Sequence, residues 1–292
     1  MSQTIKEALI WASSYLKENN IENPYFESQL LLRYLLDTTF AKLKIYEDTH
    51  LKSEDLIIYK EYVGKRGSGY PFAYIVKEKQ FMGLDFFVDE RVLIPRPDTE
   101  NLVQWALGYI ERNGSGELKV VDIGTGSGAI SLSIAKLSKA YVYAVDISKD
   151  SLDVCRINRT RLDLEHKVEL FNGSLSLPLL EKNIKVDLVL ANLPYIPEKQ
   201  FSTLQKEVKE HEPYGALIGG YTGLEIYEEL LTQIAGVLNP GGAMAIEIAY
   251  HQGQEATALL KDSGFEEVYI VKDLSGHDRV VIGENYAEKK HL

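Results

Sequence analysis

The fold is decided by residues 120–130, which read VVDIGTGSGAI. An apolar run with strand character ends there in a loop that has glycine at every second position, Gly124, Gly126 and Gly128, and an amphipathic stretch follows. Glycine lets a backbone turn tightly and approach a ligand closely, and the first N–H groups of a following helix are free to bind it. The stretch therefore predicts a strand, a ligand-binding loop and a helix, in that order.

The spacing of this loop narrows the class of ligand. Glycines at alternate positions after an acid match neither the G-x-G-x-x-G dinucleotide fingerprint nor the phosphate-binding loop, whose lysine is absent here. The preceding acid, Asp122, would repel a pyrophosphate and suits a cationic ligand such as the amino group of S-adenosylmethionine. Taken alone, the loop is also compatible with a plain turn between strand and helix.

Short apolar runs alternate with amphipathic segments on both sides of this loop. Strands that alternate with helices form right-handed βαβ units, which predicts a parallel, doubly wound sheet. The last two β-like runs, 265–271 and 279–283, are only seven residues apart. Because that is too short for a helical crossover, they must pair antiparallel. The other apolar runs are 118–123, 141–145, 167–171, 186–191 and 243–248.

The first part of the chain has a different pattern. Apolar residues recur at three- and four-residue spacing in residues 5–16 and 26–34, which predicts two amphipathic helices. A third helix is predicted from Ser53, a plausible N-cap, to the glycines near residue 67. After Pro71 the pattern becomes β-like.

The β-like stretches 72–76 and 80–88 predict one or two hairpins that link the two patterns. The sequence thus divides into three parts. They are a helical domain over residues 1–70, a β-hairpin linker over 71–93 and an α/β domain over 94–292.

Composition limits the class of protein. With 292 residues, 45% hydrophobic and 26% charged, the chain is typical of globular proteins, and no apolar run or basic leader indicates a membrane span or a signal peptide. We therefore expect a cytoplasmic location and no membrane partner. One cysteine, Cys155, excludes an intramolecular disulfide, and the six histidines show no i,i+4 pair, so no metal site is expected. The net charge of −11, about −10 of it in residues 86–292, disfavours stable binding to nucleic acid.

Two further positions complete a candidate site. Asp146 ends the second predicted strand of the sheet, 22 residues after Gly124, where an acid can accept both hydroxyls of a ribose or else cap the helix that starts near Ser148. Residues 192–195, Asn-Leu-Pro-Tyr, follow the fourth strand directly. In an open parallel sheet they lie at the same edge as the glycine loop, where ligands bind.

The chemistry of this tetrapeptide suits methylation of a planar nitrogen. An amide or aromatic amino group is a poor nucleophile, and positive charge grows on its nitrogen as a methyl group is transferred. The Asn192 side-chain oxygen and a backbone carbonyl, that of Leu193, can accept the two N–H bonds, and Tyr195 can stack on the plane. A proline-stiffened turn with an inward-packed tyrosine is the structural alternative.

The loop, the acid and the terminal hairpin together resemble the class I S-adenosylmethionine-dependent methyltransferases. Nearly the whole chain resembles one family, PrmC (formerly HemK), which methylates the glutamine of the Gly-Gly-Gln motif in class 1 peptide-chain release factors. The resemblance implies transfer from S-adenosylmethionine to the side-chain amide nitrogen of that glutamine. It rests on residues 94–100 (IPRPDTE), 122–130, 192–197, 211–213 with 216–217, and 276–279 (GHDR).

The same resemblance assigns roles to individual residues. Asn192 would touch both cofactor and glutamine, and residues 192–195 would hold the substrate, with Asn192, Pro194 and Tyr195 catalytic. Position 193 departs from the usual Asn-Pro-Pro-Tyr, since leucine replaces the first proline and a φ constraint is lost. The cofactor-binding set would be Gly124, Thr125, Gly126, Ser127, Gly128, Asp146 for the ribose, Ser174 and Leu175 near the adenine where the family often has an acid and an aromatic, and Asn192.

Two alternatives stay open at this point. Asn-Leu-Pro-Tyr also resembles the turn of ribosomal RNA adenine dimethyltransferases, so an N6-adenine methyltransferase acting on RNA or DNA is the main rival, although such proteins are typically basic. A non-catalytic scaffold that binds S-adenosylmethionine is the other. Glu247, in an apolar strand, either faces the site or pairs with a loop amide, and we favour a structural role because buried charges need partners.

Overall fold

The computed structural model describes residues 3–114 and 116–287. Its helices are α1 (Ile5–Glu18), α2 (Pro24–Leu35), α3 (Phe40–Ile45), α4 (Ser53–Gly67), α5 (Phe72–Val76), α6 (Glu100–Asn113), α7 (Ala129–Leu137), α8 (Lys149–Arg161), α9 (Leu177–Glu181), α10 (Lys206–His211), α11 (Glu225–Val237) and α12 (Gly253–Asp262). Its strands are β1 (Lys79–Phe81), β2 (Leu84–Phe86), β3 (Lys119–Ile123), β4 (Tyr141–Asp146), β5 (Val168–Asn172), β6 (Val186–Ala191), β7 (Ile196–Pro197), β8 (Ile218–Gly220), β9 (Leu238–Glu247), β10 (Phe265–Lys272) and β11 (Asp278–Tyr286).

The chain forms two compact units. One comprises residues up to Lys77 together with Gln205–His211, and the other comprises 78–204 and 212 onward. In the first unit, α1, α2 and α4 enclose an apolar core that includes Leu16, Leu31 and Tyr59. The N-terminus of α1 is fixed by a capping box between Thr4 and Glu7.

A buried arginine ties three helices of this unit together. Arg66 on α4 pairs with Glu27 on α2 at 2.9 Å and with Glu207 on α10 at 3.1 Å. Because the arginine side chain is only 10% exposed, both carboxylates act on a guanidinium that is largely removed from water. This pairing explains why residues 205–211 belong to the first unit although the chain before and after them belongs to the second.

The prediction of β structure for residues 72–76 is wrong. They form the helix α5, with the N–H groups of Tyr74 and Ile75 bonded to the carbonyl of Pro71. Four of its five residues are buried, and a short, fully apolar run cannot be assigned to strand or helix by periodicity. The helix α4 does begin at Ser53, but Lys52 occupies the N-cap position and Ser53 is the first helical residue.

The prediction of a hairpin after residue 79 is confirmed, and one hairpin is formed. Strands β1 and β2 pair antiparallel, with Phe81 opposite Leu84. The two residues between them, Met82 and Gly83, both have positive φ, which is the geometry of the two-residue turn that matches strand twist.

The second unit confirms the predicted doubly wound sheet with a terminal antiparallel hairpin. The seven strands are ordered β10-β11-β9-β6-β3-β4-β5. Neighbours from β9 to β5 pair parallel, and β11 inserts antiparallel between β9 and β10. The third of the five parallel runs was expected at residues 167–171, and the strand itself is Val168–Asn172.

Apolar side chains cover both faces of this sheet. One face packs against α11 and α12, through residues such as Leu230 and Leu260, and the other packs against α6, α7 and the β1–β2 hairpin, through residues such as Leu102 and Phe86. Alternating helices thus bury a sheet that is apolar on both sides. Within the described ranges, no helix combines the length and the apolar character needed to cross a membrane.

Candidate functional site

A cavity of about 580 Å³ lies in the second unit where β3, β4 and β6 end. Most of the predicted site residues line it, but two do not: Gly128 and Tyr195 lie outside its lining. Further lining comes from the segment around residues 94–100, which the resemblance implies closes over the cofactor, and from a segment near residue 213. These residues are Arg91, Val92, Leu93, Pro95, Arg96, Thr99, Pro213, Gly215 and Ala216. The predicted residues in the lining are Gly124, Thr125, Gly126, Ser127, Asp146, Ser174, Leu175, Asn192, Leu193 and Pro194.

The acid before the glycine loop holds the loop together. Asp122 Oδ2 accepts hydrogen bonds from Thr125 Oγ1 at 2.7 Å and from the Ser131 N–H at 3.0 Å. The carboxyl group is fully buried and does not line the cavity. That its charge suits a cationic ligand stays a prediction. Burial raises its pKa to about 6, against the opposing effect of these hydrogen bonds.

Two of the three loop glycines are required by close packing. Gly124 has φ +76°, and a Cβ there would lie 2.8 Å from Leu193 Cδ2. Gly128 has φ +84°, and a Cβ there would lie 2.7 Å from Cys155 Sγ and from Leu132 Cδ1. Gly124 therefore lets the loop rest on the turn after β6, whereas Gly128 lets α7 pack on α8.

Asp146 ends β4 at the cavity wall and organises two backbone segments. Its Oδ2 accepts the Gly126 N–H at 2.8 Å and its Oδ1 accepts the Ser148 N–H at 2.8 Å. The N-cap of α8 is Ser148, whose side chain accepts the Ser151 N–H, so Asp146 does not cap that helix. Burial raises the pKa of Asp146, and the two backbone hydrogen bonds oppose this. Each oxygen keeps lone-pair capacity for a further donor from the cavity.

The side chain of Asn192 is held by a residue 93 positions earlier in the chain. Its Nδ2 donates to Thr99 Oγ1 at 3.1 Å. Because the nitrogen is used in this way, the Oδ1 atom remains as the acceptor that Asn192 offers to a ligand. Thr99 is buried and itself lines the cavity.

Tyr195 turns its hydroxyl away from the cavity. The hydroxyl donates to Glu247 Oε1 at 3.3 Å, and the ring packs against the apolar core on the α11 side of the sheet. Burial raises the pKa of this tyrosine, as does the nearby carboxyl group of Glu247. Stacking of the ring on a substrate stays a prediction.

The leucine at position 193 brings a backbone donor that proline lacks, and the structure supplies its partner. The Leu193 N–H donates to the Tyr227 hydroxyl at 3.0 Å, and that hydroxyl donates in turn to the Glu247 carbonyl at 2.6 Å. Leu193 is buried, so an unpaired N–H there would be costly. A hydrogen bond from α11 thus constrains the turn where a proline ring would otherwise do so.

Residues 94–100 are anchored to several separate parts of the second unit. The Arg96 guanidinium pairs with the buried Glu212 carboxylate, which also accepts the Ile94 N–H at 3.3 Å. Asp98 pairs with Arg279 at 3.1 Å. These contacts join three of the motifs on which the resemblance rests.

The last anchor of this segment is Glu100, whose Oε1 accepts the Met82 N–H in the β1–β2 turn at 2.8 Å.

The site roles of Thr99, Tyr227 and Glu212 were not predicted. The motifs at residues 94–100 and 211–213 were the available signal, but they do not show which residues contact each other.

Known families and proteins match both parts of the chain. Two family models match the chain, a PrmC N-terminal domain over residues 7–76 and a methyltransferase domain over residues 115–280. The release factor glutamine methyltransferase of Clostridium acetobutylicum is 43% identical, over 95% of this chain and 97% of its own length. That of Bacillus anthracis is 38% identical, over 96% and 99% respectively. The chain belongs to the release factor glutamine methyltransferase family.

A solved structure shows the same fold. The T. thermophilus 16S rRNA methyltransferase RsmC, in complex with AdoMet and guanosine, superposes with a TM-score of 0.51 at 18% identity, over 71% of this chain and 49% of that chain. This likeness shows the fold alone. That the chain is an S-adenosylmethionine-dependent methyltransferase follows from its family and from the methyltransferase domain over residues 115–280.

The cavity fits this cofactor. Its volume lies in the range of roughly 300–1,000 Å³ that is typical of small-molecule sites. The glycine loop and Asp146 form one wall, where the Asp146 carboxyl oxygens can accept further donors. Which residue holds which part of the cofactor stays a proposal.

The role of Tyr227 can be tested by removing its hydroxyl. We expect Tyr227→Phe to lower the free energy of unfolding by about 1–3 kcal/mol, because the buried Leu193 N–H loses its acceptor. Urea denaturation measures this difference. Tyr143→Phe is the matched control, since Tyr143 is buried and its hydroxyl makes no hydrogen bond within the described residues.

The same substitution in a Leu193→Pro chain tests the contribution of the Leu193 N–H alone. In a Leu193→Pro chain there is no N–H to satisfy, so the additional cost of Tyr227→Phe should be smaller than in the wild type. Equal costs in both backgrounds would show that the hydroxyl does not serve the Leu193 N–H.

Proposed function

We propose that this enzyme transfers a methyl group from S-adenosylmethionine to the side-chain amide nitrogen of the glutamine in the Gly-Gly-Gln motif of class 1 peptide-chain release factors. The observation that carries the proposal is the orientation of Asn192, whose Nδ2 is bonded to Thr99 and whose Oδ1 is left for a substrate N–H. The names of the relatives at 43% and 38% identity support the same substrate.

Methyl transfer to an amide requires that the substrate nitrogen be positioned, and it does not require a strong base. When bound, S-adenosylmethionine supplies an activated methyl group on a sulfonium. Asn192 Oδ1 and the Leu193 carbonyl accept the two amide N–H bonds, which strengthen as positive charge grows on the substrate nitrogen. The nitrogen is thereby held at the methyl donor, and its acidic product proton passes to water.

The remaining assignments follow the cofactor. Gly124, Gly126 and Asp146 would hold the amino-acid and ribose parts of S-adenosylmethionine, and Ser174 and Leu175 would lie beside its adenine. Support comes from their common position in the lining of one cavity. Gly128 would act indirectly, through the packing of α7.

We assign recognition of the release factor to the helical domain. A single glutamine loop offers little contact area, and stable protein interfaces bury about 800 Å² per partner. Helices α2 and α3 and the residue after α3 expose large apolar side chains that suit such an interface. They are Tyr25, Phe26, Phe40, Ile45 and Tyr46, each between 39% and 72% exposed.

This substrate implies further expectations about partners and location. Because release factors act on the ribosome, the reaction would occur in the cytoplasm. The net charge of −11 supports a protein partner over stable binding to nucleic acid.

The proposal is tested by following labelled methyl transfer. The wild-type enzyme and radiolabelled S-adenosylmethionine are incubated with a purified class 1 release factor, with the same factor lacking the Gly-Gly-Gln glutamine, and with ribosomal RNA. We expect label on the intact release factor only. Label on RNA alone would overturn the proposal in favour of adenine methylation.

A second test removes the amide acceptor. We expect Asn192→Ala to lower kcat by about 10²–10³-fold, the usual effect of losing one group that stabilises charge in a transition state. Circular dichroism and urea unfolding should match the wild type within error. Asn113→Ala, at the end of α6, is the control and should retain activity, whereas wild-type turnover by Asn192→Ala would remove the acceptor role.

The third test concerns the ribose. We expect Asp146→Ala to raise the Kd for S-adenosylmethionine at least about tenfold, which corresponds to about 1.4 kcal/mol, with little change in the KM for release factor. Calorimetry measures the cofactor Kd directly. Asp150→Ala, an exposed acid in the first turn of α8, should bind the cofactor normally. An unchanged Kd in Asp146→Ala would refute the assignment.

A further inference from the structure

Gln252 has a buried side chain that neither the reaction described above nor its own helix uses. It is the residue before α12, it is only 4% exposed, and its side chain makes no hydrogen bond that caps the helix. Cap positions favour short polar side chains such as those of serine and asparagine, so helix formation does not explain a glutamine here. The amide group bonds to other parts of the backbone instead.

The Gln252 amide joins three backbone segments. Its Nε2 donates to the Tyr195 carbonyl at 3.1 Å and to the Thr222 carbonyl at 3.3 Å. Its Oε1 accepts the Ala249 N–H at 2.9 Å. A flipped amide would place an oxygen against two carbonyls, so these contacts fix the orientation of the group. Both amide hydrogens thus connect the turn after β6, residues 192–195, to the loop between β8 and α11.

The end of the turn after β6 is held on both sides of one peptide group. The Tyr195 carbonyl is bonded to Gln252, and the N–H of the same peptide, that of Ile196, donates to the Leu217 carbonyl at 3.0 Å. Because the C=O and N–H groups of a planar trans peptide point in opposite directions, the two bonds together fix the peptide plane. The acceptors proposed for the substrate amide lie two and three residues earlier in the same turn.

The loop to which Gln252 bonds is itself held in place. Glu225, at the start of α11, accepts the Thr222 N–H at 2.8 Å and the Gly223 N–H at 2.9 Å. The Gly223 N–H belongs to the same peptide as the Thr222 carbonyl, so this carbonyl points away from Glu225. A Cβ at Gly223 would lie 2.1 Å from the Tyr195 carbonyl oxygen and 2.8 Å from Gln252 Nε2. Glycine therefore allows the loop to approach the turn this closely.

We propose that Gln252 is a positioning residue for methyl transfer. Its two N–H bonds hold the turn after β6 against the loop before α11, which keeps Asn192 Oδ1 and the Leu193 carbonyl at the spacing that the substrate amide needs. Tyr227 bonds the start of this turn at the Leu193 N–H, and Gln252 bonds its end. Gln252 does not line the cavity, so it acts through the turn. This inference rests on the proposed function, because both acceptors are assigned to the glutamine of the release factor.

Gln252→Glu separates the two donated hydrogen bonds from the rest of the side chain. At about pH 8.5, well above the ordinary glutamate pKa of about 4.3, the introduced carboxylate still accepts the Ala249 N–H but has no hydrogen for the Tyr195 and Thr222 carbonyls. We expect kcat at saturating release factor to fall by about 10–100-fold. The Kd for S-adenosylmethionine, measured by calorimetry, should stay within about twofold. A glutamine that served only the local bond to Ala249 would leave kcat at the wild-type value.

Gln252→Met shows the same loss without a buried charge. Methionine has nearly the length of glutamine and no hydrogen to donate, so kcat should fall while the Kd for S-adenosylmethionine is kept. Gln254→Glu and Gln254→Met, at an exposed position on α12, are the matched controls and should retain wild-type kcat. Circular dichroism at the assay temperature checks that each variant is folded. Wild-type kcat in either Gln252 variant, or a loss of cofactor affinity as large as the loss of kcat, would overturn the proposal.

An activity-independent measurement separates this inference from the proposed function. Hydrogen exchange followed by mass spectrometry is compared between the wild type and the Gln252 variants, without substrate. We expect faster exchange in peptides that cover residues 192–197 and 219–224, and unchanged exchange in the glycine loop, residues 122–131. Unchanged exchange over 192–197 would refute the inference. If this difference is present and the wild-type enzyme places no label on the release factor, the proposed substrate is refuted instead.

Discussion

The site depends on one buried carboxyl group. Asp122 accepts from Thr125 in the loop and from the first turn of α7 at Ser131, so a single oxygen joins the end of β3, the loop and the helix. Such a group is retained in the core only because its hydrogen bonds are made there. The loop is consequently shaped before any ligand arrives, and Gly124 packs on the turn after β6.

A second set of polar contacts converges on residues 94–100. Arg96, Asp98, Thr99 and Glu100 each bond to a different part of the second unit, namely the loop before residue 213, β11, the turn after β6 and the β1–β2 turn. A short segment held at four points has little freedom to move. Its pocket-lining residues therefore form a wall of fixed shape, which is what orientation of two reactants requires.

The architecture could be predicted from the sequence because the apolar pattern of each strand and helix, and the lengths of the connections between them, are local features of the chain. Alternating apolar runs and the seven-residue connection at 272–278 were sufficient for a doubly wound sheet with an antiparallel end. The run 72–76 was misassigned because five apolar residues carry no period, and its burial was decided by the tertiary fold. The bonds that orient the site join residues 93 and 34 positions apart, and no spacing rule encodes which of them meet.

At Leu193, the loss of the usual proline is compensated by a residue that is distant in the sequence. A proline restricts its own φ through a covalent ring, so its effect is local. Leucine at the same place leaves an N–H that must be paired, and the partner, Tyr227, belongs to α11. The geometry of the turn thus depends on how α11 docks against the sheet. In this chain the helix α11 becomes part of the support for Asn192, although Tyr227 itself does not line the cavity.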